Sequence, residues 1–122
     1  MVDFKHGKIC YIFMSSQDPG KSGAFYRDVF GWTLRTKDEG GLSFDDSTGQ
    51  VSGTWVTDRP VASGHNLEVH IMVDDLDVTI AAIRDAGGSV DAADIHTERE
   101  QWGVFTDLDG NRLGIYQHGS GG

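Results

Sequence analysis

Glu68 and His70 place a carboxylate and an imidazole two residues apart, in a stretch (Glu68–Val73) that alternates like a β-strand. Successive strand side chains point to opposite faces, so residues two apart share one face. A carboxylate beside an imidazole can hold a divalent metal or move a proton. Among aromatic rings the carboxylate's pKa would rise, which suits proton abstraction next to a carbonyl. Glu68 and His70 are therefore the candidate catalytic pair. Each also has a plainer reading: Glu68 as a solvated carboxylate at a strand end, His70 as a satisfied polar residue in a half-buried strand.

Parity gathers further residues around this pair. Val69, Ile71 and Val73 are uniformly aliphatic and should lie beneath a helix, which turns Glu68, His70 and Met72 to the opposite face. Near the start of the chain, Cys10, Ile12 and Met14 share one parity and Tyr11, Phe13 and Ser15 the other. Near its end, Leu113 and Ile115 belong to a core, leaving Arg112, Gly114 and Tyr116 on the open side. Trp55 and Trp102 are candidate walls. The expected ligand-binding surface is thus Tyr11, Phe13, Trp55, Glu68, His70, Trp102, Arg112 and Tyr116, aromatic walls around a few polar groups, as small-molecule sites require. Ordinary packing or a dimer contact would equally explain Tyr11, Phe13 and Tyr116. Trp102 follows the charged Glu98-Arg99-Glu100 and also fits a loop tip, and Arg112 also fits an ion pair with an acidic neighbour.

The elements that must position these residues occur twice. Residues 9–14 are apolar and free of breakers, which predicts a buried strand. Asp18 is a good helix N-cap and Pro19 suits the first helical position, so a helix should run to about Phe30 and stop at Gly31. Strands are expected at Trp32–Thr36, Leu42–Asp45 and Val51–Thr57, with turns at Gly40-Gly41 and Ser47-Thr48-Gly49. After a linker at residues 58–66 the order returns. Glu68–Val73 is followed by a helix capped by Asp75 and ending at Gly87-Gly88. Strands at Ser89–Ala92, Gly103–Thr106 and Arg112–Tyr116 come next, the last two joined through Asp109-Gly110-Asn111. One offset of 57 residues lays Asp18 on Asp75, Arg27-Asp28 on Arg84-Asp85 and Gly31 on Gly88. A cap, a charge pair and a terminator preserved at one offset argue for duplicated modules. The expected fold is α+β, with two tandem β-α-β-β-β modules (about 7–57 and 67–118) forming a curved mixed sheet with a concave pocket.

Composition narrows the partners. A chain of 122 residues that is 38% hydrophobic suffices for one compact domain, and its net charge of −9 repels nucleic-acid phosphates and anionic lipid. No stretch is apolar enough to span a bilayer and the N-terminus lacks a secretory core, so a cytoplasmic protein is expected. Cys10, the single cysteine, excludes an internal disulfide and a Cys-rich zinc site, and reads as a small buried hydrophobe.

The stretches Asp18-Pro19-Gly20-Lys21-Ser22-Gly23-Ala24-Phe25-Tyr26-Arg27-Asp28-Val29-Phe30-Gly31-Trp32, Val73-Asp74-Asp75-Leu76-Asp77 and Asp107-Leu108-Asp109-Gly110-Asn111-Arg112-Leu113-Gly114 resemble the vicinal-oxygen-chelate superfamily of glyoxalases, bleomycin-resistance proteins and extradiol dioxygenases. Together they span nearly the whole chain. The resemblance implies paired modules, usually in a homodimer. It also implies, in active members, a divalent metal held at four strand positions. Carried over, these positions are Tyr11, the neighbourhood of Gly53, Glu68 and Gly114, of which only Glu68 is an ordinary ligand. No cofactor is therefore expected. A displaced divalent-metal site would need His70 and Glu68 with one of His6, His65, His96 or His118.

Three functions remain open. The leading one is a metal-free small-molecule-binding protein, in the manner of the drug-sequestering members. The second is a lyase, isomerase or dioxygenase-type enzyme using Glu68 and His70, with or without a displaced metal. The third is a protein-interaction module.

Overall fold

The computed structural model describes residues 6, 9–37, 40–58, 69–96 and 100–118, with residues 91–96 and 100 described by their backbone alone. The chain divides into two compact units, Met1–Val61 and Ala62–Gly122. The first contains β1 (Tyr11–Ser15), α1 (Pro19–Phe30), β2 (Thr33–Thr36), β3 (Leu42–Asp45) and β4 (Ser52–Val56). The second contains β5 (His70–Met72), α2 (Leu76–Asp85), β6 (Ser89–His96), β7 (Glu100–Thr106) and β8 (Arg112–His118). Both follow the β-α-β-β-β order, and each holds one four-stranded mixed sheet, ordered β1-β4-β3-β2 in the first and β5-β8-β7-β6 in the second. In each, the first strand is an edge that runs parallel to the last, while the other pairings are antiparallel. Among the described residues no helix is long and apolar enough to cross a membrane.

The helices begin as their caps dictate. The Asp18 carboxylate accepts from the Lys21 N–H at 3.2 Å, and that of Asp75 from the Val78 N–H at 3.0 Å. Their ends differ. α1 closes on Gly31, left-handed at φ 74°, whose N–H reaches the Arg27 carbonyl at 2.9 Å. α2 is shorter and passes through Ala86 before its left-handed glycine, which is Gly87 at φ 98°. The conformational counterpart of Gly31 is therefore Gly87, not Gly88, so the offset that aligns the caps misses the terminators by one residue. The β3–β4 and β7–β8 turns repeat each other as well. The Asp46 N–H donates to the Val51 carbonyl and the Asp107 N–H to that of Asn111. Gly49 and Gly110 donate back to the carbonyls of Asp46 and Asp107. Both aspartates then accept backbone N–H groups, from Gln50 at 3.0 Å and from Asp109 and Asn111 at 2.9 Å.

Several boundaries depart from the sequence reading. β6, β7 and β8 each extend beyond the expected strands, because their antiparallel ladders continue to His96↔Gln101 and Glu100↔His118. Register shifts between Val90 and Ala92 and between Ala92 and Ile95 break the alternation that would have announced β6. β5 is shorter than expected, and Val69, assigned to the helix side, is exposed just ahead of it. Ile9 and Cys10 are exposed as well, since they precede the first paired residue of β1. Cys10 is thus not the buried hydrophobe expected.

Each core lies between helix and sheet. In the first unit Phe25 and Tyr26 of α1 are buried, as are Trp32, Phe44, Met14 and Trp55. The rings form a continuous cluster: Tyr26 stacks on Trp32 and Trp32 on Phe44, each at 4.6 Å, and Phe44 meets Trp55 at 4.7 Å. In the second, Leu76, Ile80 and Ile83 of α2 are buried, as are Phe105, Leu113 and Ile115 of the sheet.

Candidate functional site

Strand register sorts the side chains on the sheet faces turned away from the helices. In the second unit Met72 lies opposite Tyr116 and Tyr116 opposite Trp102, so these three form one row across β5, β8 and β7. His70, Gly114 and Val104 form the next row, and Arg112 and Thr106 the one after it. Met72 is 71% exposed, and His70 is exposed as well. Tyr116, Trp102 and Arg112 are half-buried. The Tyr116 hydroxyl and His118 Nδ1 are 2.8 Å apart. Parity therefore places His70, Trp102, Arg112 and Tyr116 on one face. Glu68 lies outside the described residues.

Gly114 has a particular role in this row. A side chain there would run into the His70 imidazole, whose ring lies across the bare backbone of the neighbouring strand. Gly114 is buried, and its N–H donates to the Val69 carbonyl at 2.8 Å.

In the first unit Tyr11 and Phe13 stand on the corresponding face of β1. Phe13 is 57% exposed, and the two rings meet edge-on at 5.3 Å. The rows continue from Tyr11 to Ser52 and Asp45, and from Phe13 to Thr54 and Ser43. Asp45 accepts from the Ser52 hydroxyl at 2.6 Å and takes Arg35 in a two-pronged ion pair at 2.9 and 3.1 Å. The Ser52 hydroxyl first, and then the Arg35 guanidinium, hold the Asp45 carboxyl below the usual carboxylate range against the opposing effect of burial.

Trp55 is a correction. It was expected as a wall of the open surface, but it is only 3% exposed and belongs to the aromatic cluster under α1. Its register partner, Met14, is likewise buried on the helix side. Strand parity turns Trp55, with Gly53, to the helix side of β4, where its ring joins Tyr26 and Phe44.

Among the described residues, the metal positions implied by the superfamily offer few side-chain donors. Gly53 faces the helix, where the Phe44 ring fills the space that a side chain would need. On the opposite face beside it stand the half-buried Ser52 and the buried Thr54, whose hydroxyls donate to Asp45 and to the Leu42 carbonyl. Gly114 offers no donor, and the His70 ring covers it. Two of the four positions thus lack a side-chain donor, and Tyr11 is an uncommon ligand. Among the described residues no three His, Cys, Asp or Glu side chains stand together as a metal site would need.

Sequence reading missed Arg35, Asp45 and Ser52, and offered His118 only as one of four alternative histidines for a displaced metal site. His118 alternates with Tyr116 and was legible by parity alone. The other three depend on the register of β2, β3 and β4, which no local pattern specifies.

The duplicated β-α-β-β-β units, each with a helix packed on one face of a four-stranded mixed sheet, define the glyoxalase type of fold. Residues 11–116 match the family model described as a glyoxalase-like domain, and the chain belongs to that family, within the vicinal-oxygen-chelate superfamily. Among solved structures it is similar to the fosfomycin resistance protein FosX from Listeria monocytogenes, with a TM-score of 0.78, 12% identity, and 93% and 94% of the two chains covered. It is also similar to TnmS3, an antibiotic binding protein from Streptomyces sp. CB03234, with a TM-score of 0.71, 22% identity and coverage of 95% and 99%. A glyoxalase/bleomycin resistance protein from the same Streptomyces gives 0.67 and 23%, with coverage of 90% and 100%. At these identities the likeness is one of fold. Comparison with curated sequences gave no match.

Proposed function

We propose that this protein binds a small apolar or aromatic molecule without a metal, on the open sheet face of its second unit. The observation that carries the reading is the row Met72–Tyr116–Trp102, a thioether and two aromatic rings side by side across three strands. Thioethers and rings adapt to flat apolar ligands, and burial rather than coordination supplies the affinity. The donor-poor metal positions agree with it. So does the similarity to a protein described as antibiotic binding, although likeness at that identity argues for the fold alone.

The test is a panel of antibiotics and aromatic metabolites, read by thermal shift and by tryptophan fluorescence. Trp32 and Trp55 are buried in the first core, so a bound ligand should perturb chiefly Trp102. Trp102→Phe should abolish the spectral response, and Trp102→Ala should weaken binding about tenfold, the order of one lost aromatic contact. If no compound moves the melting temperature beyond assay noise, the reading falls and a protein-interaction role takes its place.

One observation favours a second reading, acid–base catalysis. The Tyr116 hydroxyl and the His118 imidazole are in hydrogen-bond contact on the same face as His70, so proton-transfer groups do gather there. Glu68 would be the base. Isomerase and lyase assays on hydroxy-carbonyl compounds test it: Glu68→Gln should abolish turnover, and an unchanged rate removes Glu68 from the mechanism.

A further inference from the structure

We propose that the Met72 thioether is a modification site for hydroperoxides, and that its oxidation to the sulfoxide switches off binding on the open face of the second unit. The inference rests on the small-molecule reading above and adds its regulation. A methionine reacts when the oxidant can reach its sulfur, so exposure sorts methionines by reactivity. Met72 is 71% exposed, whereas Met14 is 6% exposed in the first core. The duplicated fold does not impose that exposure. At the 57-residue offset between the units Met72 falls on Ser15, which closes β1 as Met72 closes β5 and is buried.

Location decides what the oxidation does. Met72 lies on an edge strand, its register partner is Tyr116, and Tyr116 in turn pairs with Trp102 on β7. The thioether is therefore the outer member of the apolar row, soft and weakly polar beside two rings. Its sulfoxide carries a strongly polar oxygen that holds water. An apolar ligand covering the row would strip that water and replace it with nothing, which weakens binding. The β5–β8 ladder is made by backbone groups, so the sheet survives the change. The chemistry is a two-electron transfer. A sulfur lone pair attacks one oxygen of hydrogen peroxide, the S–O bond forms as the O–O bond breaks, and a proton shift releases water. The thioether is oxidised and the peroxide reduced. Methionine sulfoxide reductases reverse the step with thiol electrons, two thiols leaving as a disulfide and the oxygen as water.

The experiment treats the full chain with hydrogen peroxide and probes the face with 8-anilinonaphthalene-1-sulfonate by fluorescence titration. Peptide mass spectrometry should find the added oxygen on Met72 before Met14. Oxidised wild type should bind the dye at least about fivefold more weakly, the order of one lost sulfur–aromatic contact. Dithiothreitol with the reductases for both sulfoxide epimers should restore binding, and dithiothreitol alone should not. Met72→Gln, with a permanent polar group at the same place, should bind as weakly as the oxidised protein. Met72→Leu sets its own starting affinity, which peroxide should leave unchanged. Oxygen on Met14 first overturns the proposal. So does recovery with dithiothreitol alone, which would trace the effect to the exposed Cys10. Unchanged dye binding after complete oxidation of Met72 overturns the switch while the small-molecule reading survives. If neither the dye nor any compound of the panel binds the reduced protein, both readings fall together.

Discussion

At the scale of single residues, burial decides which aromatic side chains serve the core and which the surface. Trp55→Ala should cost about 3–5 kcal/mol, the usual range for emptying a packed aromatic site, whereas Phe13→Ala should stay within about 0.5 kcal/mol. Urea unfolding of the two variants checks both, and near-equal losses would place Trp55 outside the core. Asp45 supplies a pH-dependent contribution. Its carboxyl is held below the usual range in the folded protein, so the stabilisation is present in full above the unfolded pKa and is lost as pH falls through the folded one. Asp45→Asn should therefore flatten the acid limb of a stability–pH curve. At neutral pH it should cost no more than about 1 kcal/mol, because Arg35 is more than half exposed. An unchanged acid limb would sink the assignment. Residue types told little of this in advance. Trp55 and Trp102 are the same side chain on similar strands, and only register distinguishes a core ring from a surface ring.

At the scale of elements, caps and turns were legible and strand lengths were not. Asp18, Pro19 and Asp75 act through neighbours three or four residues away, so local sequence announces both helix starts. Register shifts in β6 and the charged residues before Trp102 hid the long β6–β7 hairpin, whose pairing is a contact between strands. The same distance hides Gln117, whose buried Oε1 accepts the Leu76 N–H at 2.7 Å and so ties the start of α2 to the end of β8. Gln117→Leu should leave that N–H without its acceptor and cost about 1–3 kcal/mol by thermal or urea unfolding. A loss below about 0.5 kcal/mol would show that the bond contributes nothing net.

At the scale of the whole molecule, the duplication was legible because each module repeats the same local signals, even though α2 shortens the second copy and shifts its terminator. The candidate surface was legible only in part, because parity assigns a face but register decides which residues meet on it. His70 over Gly114 is one such meeting. We propose a homodimer, as the superfamily resemblance implies. Sedimentation equilibrium should give twice the chain's 13.3 kDa, and a mass equal to one chain across the micromolar range would refute it.

The parallel edge strands have a consequence for how the protein is assembled. The antiparallel runs β2–β3–β4 and β6–β7–β8 join neighbours in sequence, whereas β1 reaches β4 and β5 reaches β8 across about forty residues of chain. The hairpins should therefore form in the folding transition state and the edge strands dock after it. Conservative truncations in β1 and β5 should accelerate unfolding while leaving the folding rate nearly unchanged. Tyr11, Phe13, His70 and Met72 all ride on these late strands, so the open faces are completed in the last step of folding and lost in the first step of unfolding. A molecule bound there would act as a brake on unfolding.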